Sequence, residues 1–154
     1  MTDNSRDTLI QLLHLSARYL DDSNHTSFLE LFTKDGEYLI SSYAPELADK
    51  MIWMRRSRDE LEDRLAAVNE HEWEIAGIEQ TRVLSVDVVS VTDNSARSSS
   101  SFSLFHTDAE GRSELYAVGR YEDEWAATKS VWLLSRREVQ LKTRLLKLLS
   151  PLPV

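Results

Sequence analysis

The side chains that could do chemistry in this sequence are few and scattered. Histidine stands at His14, His25, His71 and His106, which read as a helix, a loop, a helix end and a strand. No two of these fall at a spacing that would bring metal ligands together. Cysteine is absent, which removes disulfides, thiolate nucleophiles and every zinc or iron–sulfur site built on sulfur ligands. The chemistry left open is proton transfer. A carboxylate set beside a histidine or tyrosine could serve as general acid and base, and the candidates are Asp35, Tyr38, Asp87, His106 and Tyr121. Each also has a plainer reading. Asp35 beside Gly36 makes a turn, His106 near a strand end sits at the surface, and the two tyrosines are ordinary strand residues. The glycines at 36, 77, 111 and 119 are isolated, so neither a phosphate-cradling loop nor a nucleophile elbow is present.

The elements that must position these residues change character along the chain. From Asp7 to about Leu20, apolar residues at Leu9, Leu13, Ala17 and Leu20 form a stripe at helical spacing. After the polar break Asp21-Asp22-Ser23-Asn24, Ser27 and Glu30 are spaced to cap a short second helix ending near Phe32. Asp35-Gly36 signals a turn, Glu37 to Ile40 a first strand, and Pro45 an irregular loop. Ser57-Arg58-Asp59-Glu60 is a second capping box, and behind it Leu61, Leu65 and Val68 share one face of a helix lasting to about Asn69.

Beyond Thr81 the period shortens to that of strands. Long segments from Arg82 to Val91, Arg97 to Thr107, Leu115 to Trp125 and Val131 to Leu141 read as an antiparallel meander. Its turns fall at Asp93-Asn94, Asp108 to Gly111 and Ala127 to Lys129. Alternation is visible in Leu84, Val86 and Val88, and again in Leu115, Ala117, Gly119 and Tyr121. Ser98 to Ser101 belongs to a strand, and Leu145, Leu146, Leu148 and Leu149 call for apolar cover before Pro151 and Pro153.

Residues 1–154 are read as a single domain, with 42% hydrophobic and 29% charged residues. The net charge of −8, with both signs interspersed, argues against nucleic acid and anionic membrane as partners. The polar opening from Met1 to Asp7 is unlike a signal peptide and no run is long enough to span a bilayer, so a cytoplasmic location is expected.

Helices followed by a bent sheet give an α+β class, and this order resembles the cystatin-like cone of nuclear transport factor 2, scytalone dehydratase and ketosteroid isomerase. Three segments sharpen the likeness. They are Phe28 to Tyr38 with its Leu31-Phe32, Asp35 and Tyr38; Ser57 to Leu65 ending in Asp63-Arg64-Leu65; and Trp132 to Val139 with Arg136-Arg137. In this order and at similar separations they resemble the small (beta) subunits of aromatic-ring-hydroxylating dioxygenases over nearly the whole chain. One departure stands out: several members of that family carry Arg-His where this chain has Arg82-Val83. The short region before the first helix is similar to subunits that accompany oxygenases of aromatic acids.

The resemblance implies N-terminal helices packed on a strongly curved antiparallel sheet, and a non-catalytic subunit with no catalytic, cofactor-binding or metal residues of its own. It also implies a large (alpha) subunit carrying a Rieske [2Fe-2S] cluster and a mononuclear non-haem iron. Three large and three small subunits would form a hexamer, the small ones as a trimeric base, fed by a reductase and in some systems a ferredoxin. Two other readings stay open on the residues alone. One is a stand-alone dehydratase or isomerase using an Asp/His/Tyr set inside the cone. The other is a binding module docking through Met51-Ile52-Trp53-Met54 and Arg55-Arg56, taken as a loop that either anchors on the core or contacts a subunit.

Overall fold

The structure is a computed structural model that describes residues 2–70, 77–146 and 153–154. The first helix, α1 (Thr2–Asp21), buries Leu9, Leu13, Ala17 and Leu20, the stripe predicted from the spacing. It starts about a turn early because polar residues extend it, with Arg6 donating to the Val88 carbonyl and Thr8 to Asn4. It ends where Ser23 takes a left-handed conformation. The N–H of Asn24 then returns to the Tyr19 carbonyl and that of Ser23 to Leu20, satisfying the orphan carbonyls of the last turn.

Asn24 is at once the exit from α1 and the cap of α2 (His25–Glu30), its side chain accepting from the Ser27 N–H at 3.3 Å. The capping box predicted at Ser27 is therefore not used, and the helix begins three residues earlier. His25 moves with it, from a predicted loop into the first turn of a helix, where it is buried.

The first strand, β1 (Phe32–Ala44), is far longer than the four residues read from the sequence. Asp35-Gly36 does not reverse the chain. It lies where the pairing register shifts between Phe32 and Glu37, so the turn signal marks an irregularity inside a strand. A tight turn through Pro45 to Ala48 leads into β2 (Asp49–Ser57). Met51 to Met54, expected in a loop, form the middle of this strand and pair with Ile40 to Ser42. The alternation that marks a strand is weak because β2 lies at the sheet edge, where α3 packs beside it but only Met54 among its apolar residues is partly covered.

For α3 (Arg58–Glu70) the predicted helix and its capping box form, while the side chain of Val68 lies outside the described residues. The Ser57 hydroxyl accepts from the Glu60 N–H at 3.2 Å, and the Glu60 carboxylate accepts from the Ser57 N–H at 3.4 Å. Leu61 and Leu65 are buried behind this box. Four strands follow: β3 (Glu79–Val91), β4 (Ser95–Thr107), β5 (Ser113–Thr128) and β6 (Val131–Leu141). The last hairpin turns at Lys129-Ser130, both with positive φ, a geometry that matches strand twist. Ala127 and Thr128, expected in that turn, remain in β5.

The strands form one sheet in the order β2-β1-β6-β5-β4-β3. Its pairs are antiparallel except β1–β6, which run parallel, so the sheet is mixed at its centre. Register shifts at Ile40/Ser41, Val88/Ser90, Leu104/Phe105 and Glu124/Trp125 bend it. One of them corrects the predicted alternation. Tyr116 is the extra residue opposite Leu104/Phe105, so Leu115 turns out to solvent while Ala117 and Tyr121 stay buried. The concave face is covered by α1 against β3 and α3 against β1, with α2 between them. Of the apolar residues after β6, Leu145 is exposed and Leu146 packs on the core, while Leu148 and Leu149 lie outside the described residues.

Candidate functional site

The concave face carries polar groups deep in an apolar core. From β6, Arg137 reaches Asp123 of β5 through Nε and Nη2, both at 2.8 Å, while its Nη1 donates to Ser16 of α1 at 3.2 Å. Its guanidinium lies 4.4 Å above the centre of the Tyr121 ring, and that ring stacks on Phe102 at 4.3 Å. Burial alone would lower the Arg137 pKa, but the Asp123 carboxylate outweighs burial and raises it. Trp125 completes this wall, donating its ring N–H to Ser98 at 2.9 Å. The small residues Ser98 to Ser101 of β4 thus make room for large partners on β5.

A second buried arginine, Arg82, enters from β3. Its Nη1 binds Asp21 at 2.7 Å and Gln80 at 3.3 Å, and its Nη2 donates to the Pro153 carbonyl at 2.8 Å. Beside it the Tyr38 hydroxyl accepts from the Val154 N–H at 3.0 Å and donates to the Val154 carbonyl at 3.4 Å. Burial pushes the Tyr38 and Tyr121 phenols well up, and it pushes His25 down, with Arg82 adding to the His25 shift. All three groups are therefore neutral at ordinary pH.

The five acid–base candidates do not gather. Tyr38 and Tyr121 are buried on the concave face, whereas Asp35 and Asp87 are exposed. His106 is half-buried, stacked on Tyr116 at 4.0 Å near the β4–β5 turn, and burial followed by Arg82 lowers its pKa. His14 is exposed on α1, and His71 lies outside the described residues. Among the described residues no group of three or more His, Cys, Asp or Glu side chains could hold a metal ion. A Rieske cluster needs two Cys and two His, so with no Cys in the sequence this chain does not fit one. Sequence reasoning missed Asp123, Arg137 and Arg82 as a buried polar set. Arg137 stood in a segment already singled out, but its partners were invisible.

The other candidate surface is the β1–β2 edge. Tyr43, Leu47, Met51, Ile52 and Trp53 are exposed there, as is Leu145 nearby. Tyr43, Met51, Trp53, Arg144 and Leu145 help line a depression of about 540 Å³. The same edge carries a polar cluster around Glu138 of β6, which accepts from Lys50 at 2.9 Å, Ser41 at 3.0 Å, Gln140 at 2.9 Å and Arg136 at 3.0 Å. Burial would raise the Glu138 pKa, but these four donors outweigh it and hold the carboxyl at about 2.

The motifs that carried the resemblance occupy fold-fixing places. Phe32 packs edge-on to Phe28 at 5.4 Å, and the Leu134 N–H donates to the Leu31 carbonyl at 2.7 Å, so the first and third segments meet across β1 and β6. A family model for the SnoaL-like domain matches residues 3–138. The chain belongs to this family. Among SnoaL-like relatives, 2-aminobenzenesulfonate 2,3-dioxygenase subunit beta of Alcaligenes sp is 26% identical over 147 residues, covering 96% of this chain and 97% of that one. The beta subunit of a methanesulfonate monooxygenase hydroxylase from Methylosulfonomonas methylovora is 26% identical over 152 residues, covering 92% of this chain and 82% of that subunit. The crystal structure of the beta subunit of a candidate aromatic-ring-hydroxylating dioxygenase from Novosphingobium aromaticivorans superposes with a TM-score of 0.79 at 19% identity, covering 92% of each chain. The sequence relatives are oxygenase beta subunits, as the motifs implied, whereas the fold is shared more widely: a candidate scytalone dehydratase from Novosphingobium aromaticivorans superposes with a TM-score of 0.64 at 20% identity, covering 93% of this chain and 89% of that one. Val83, at the position where several of that family carry His, is exposed on β3 and takes no part in the concave face.

Proposed function

We propose that this chain is the structural beta subunit of a cytoplasmic, multicomponent ring-hydroxylating dioxygenase that degrades an aromatic acid. The observation that carries the reading is the pairing of dispersed acid–base residues with an exposed apolar edge at Tyr43, Met51, Ile52 and Trp53. Exposed aromatic, Met and Arg side chains in one patch are the composition of an interface core. In this reading the large subunit holds the Rieske cluster and the mononuclear iron, and activates dioxygen. Small subunits form the trimeric base of a three-plus-three hexamer, and a reductase, with or without a ferredoxin, supplies electrons. The acid group of the substrate, carboxylate or sulfonate, is recognised in the large subunit.

The test is expression with and without the adjacent large-subunit reading frame, followed by mass determination, iron analysis and turnover per bound iron. A heterohexamer whose iron travels with the large chain is expected. General acid–base residues contribute roughly 10²–10⁴-fold to rate. Asp35→Asn, Asp87→Asn and His106→Gln should therefore leave iron-normalised turnover within a few-fold of the parent. A dehydratase or isomerase activity in the isolated chain, abolished by one of these changes, would replace this reading with that of a stand-alone enzyme.

A further inference from the structure

We propose that α1 is a strap over a strand-pairing edge, latched at Arg6, and that the β3 edge beside it pairs with β3 of a second copy of this chain when the latch opens. β3 ends the sheet, with β4 on one side and no strand on the other. In an antiparallel pair, alternate residues turn both backbone groups away from the partner. The Arg82 N–H donates to Asp21 Oδ2 at 3.0 Å and the Val88 carbonyl accepts from Arg6. Arg82, Leu84, Val86 and Val88 are therefore the residues that turn outward, and both groups that meet them belong to α1. From Arg6 to Asp21 the helix rises about 22 Å, and from Val88 back to Arg82 the strand spans about 20 Å. The helix thus runs antiparallel to the edge and is pinned to it at both ends. Between the pins, a groove of about 460 Å³ lined in part by His14, Leu15, Arg18, Thr81 and Leu84 separates helix from strand. There the latches, rather than close packing, keep the edge shut.

The two latches differ in what holds them. Asp21 follows the buried Leu20 and also binds the buried Arg82 side chain, with Oδ1 at 2.7 Å from Nη1, so it is fixed by the core. Arg6 lies in a stretch from Asn4 to Thr8 in which no side chain is buried. That stretch can fray without opening the core. What it guards is strongly strand-forming: Val83, Leu84, Val86, Val88 and Val91, with Asp87 the only charge from 83 to 91 and neither Lys nor Pro among them. Such a segment associates when its edge is free. Antiparallel pairing about Ser85 sets Val83 of one copy opposite Asp87 of the other and Leu84 opposite Val86, so no like charges meet. The edge is self-complementary, and a second copy is the partner it fits. The inference depends neither on a large subunit nor on the β1–β2 edge.

The chain has no cysteine, so Ser85→Cys, at an exposed position, places a single thiol at the centre of that pairing. Position 85 would face its own copy as a non-hydrogen-bonded pair with Cα atoms about 4.5 Å apart, within reach of a disulfide. The full chain carrying this change is oxidised mildly, and the rate of covalent dimer formation is measured. Adding Arg6→Met should raise the rate about tenfold or more, as expected for loss of a charged hydrogen bond. Arg6→Lys keeps a charged donor and should stay within about threefold of Ser85→Cys alone. Val83→Asp places like charges opposite each other twice in the pair, and should return the Arg6→Met rate to that of Ser85→Cys alone. Arg6 and Val83 are both exposed, so neither change disturbs the core. A rate unmoved by Arg6→Met, an equal rise with Arg6→Lys, or a rise that Val83→Asp leaves in place would each overturn the proposal.

Discussion

Replacing Asp123 by alanine tests whether the concave face is held together by its ion pair. Asp123 and Arg137 have side chains 0% and 1% exposed, joined by two hydrogen bonds of 2.8 Å. Asp123→Ala leaves the guanidinium buried with only Ser16 and the Tyr121 ring as partners, and removal of one member of such a pair costs about 3–5 kcal/mol. Against a total stability of roughly 5–15 kcal/mol that is a large fraction. With a urea slope of about 2 kcal/mol per molar, the unfolding midpoint should fall by about 1.5–2.5 M at unchanged slope. The paired change Asp123→Leu with Arg137→Met removes both charges and their desolvation cost together, and should recover most of the loss. Urea titrations followed by tryptophan fluorescence measure both quantities, with Asp123→Leu, Arg137→Met and their combination forming a cycle beside Asp123→Ala. A single-variant cost below about 1 kcal/mol, or a double variant no better than the single, would refute the premise that the unpaired charge dominates.

Three further outcomes follow from other parts of the molecule. Glu138 is held at about 2, below its ordinary 4.5, so its contribution to stability is complete above about pH 4.5 and is lost as pH falls towards 2. Glu138→Gln should therefore cost about 1–3 kcal/mol at pH 7 and flatten the acid limb of a stability–pH curve, and an unaltered limb counts against it. Gly119→Ala would drive a methyl group into the Gln140 carbonyl and against the Phe102 ring. It should lower stability by at least about 2 kcal/mol in chemical denaturation, and a near-neutral result would mean that β5 and β6 can part at no cost. Met51→Ala and Trp53→Ala, at exposed positions, should shift the thermal midpoint of the isolated chain little yet weaken the assembled oxygenase by tenfold or more in a dilution series, about 1.4 kcal/mol. Undiminished assembly would take this edge out of the interface.

The sequence by itself determined what is written in local periods and in absences. The α1 stripe from Leu9 to Leu20, the Ser57–Glu60 box and the β6 segment from Val131 to Leu141 could be read directly because each is decided by residues within a turn or two of one another. The lack of cysteine settled the sulfur-ligated clusters in the same way. Tertiary structure decided the rest. The edge strand β2 shows little alternation because only Met54 among its apolar residues is partly covered, and the turn signal at Asp35-Gly36 became a register shift only because β6 pairs beside it. Whether Leu115 faced in or out hung on one extra residue at Tyr116, since a single insertion flips every side chain beyond it. The buried arginines were hidden for a further reason. Arg82 meets Asp21 across 61 positions and Pro153 across 71, and Arg137 meets Ser16 across 121. Contacts at that separation leave no periodic trace, because they depend on how the whole sheet bends over α1 rather than on any neighbour in the chain.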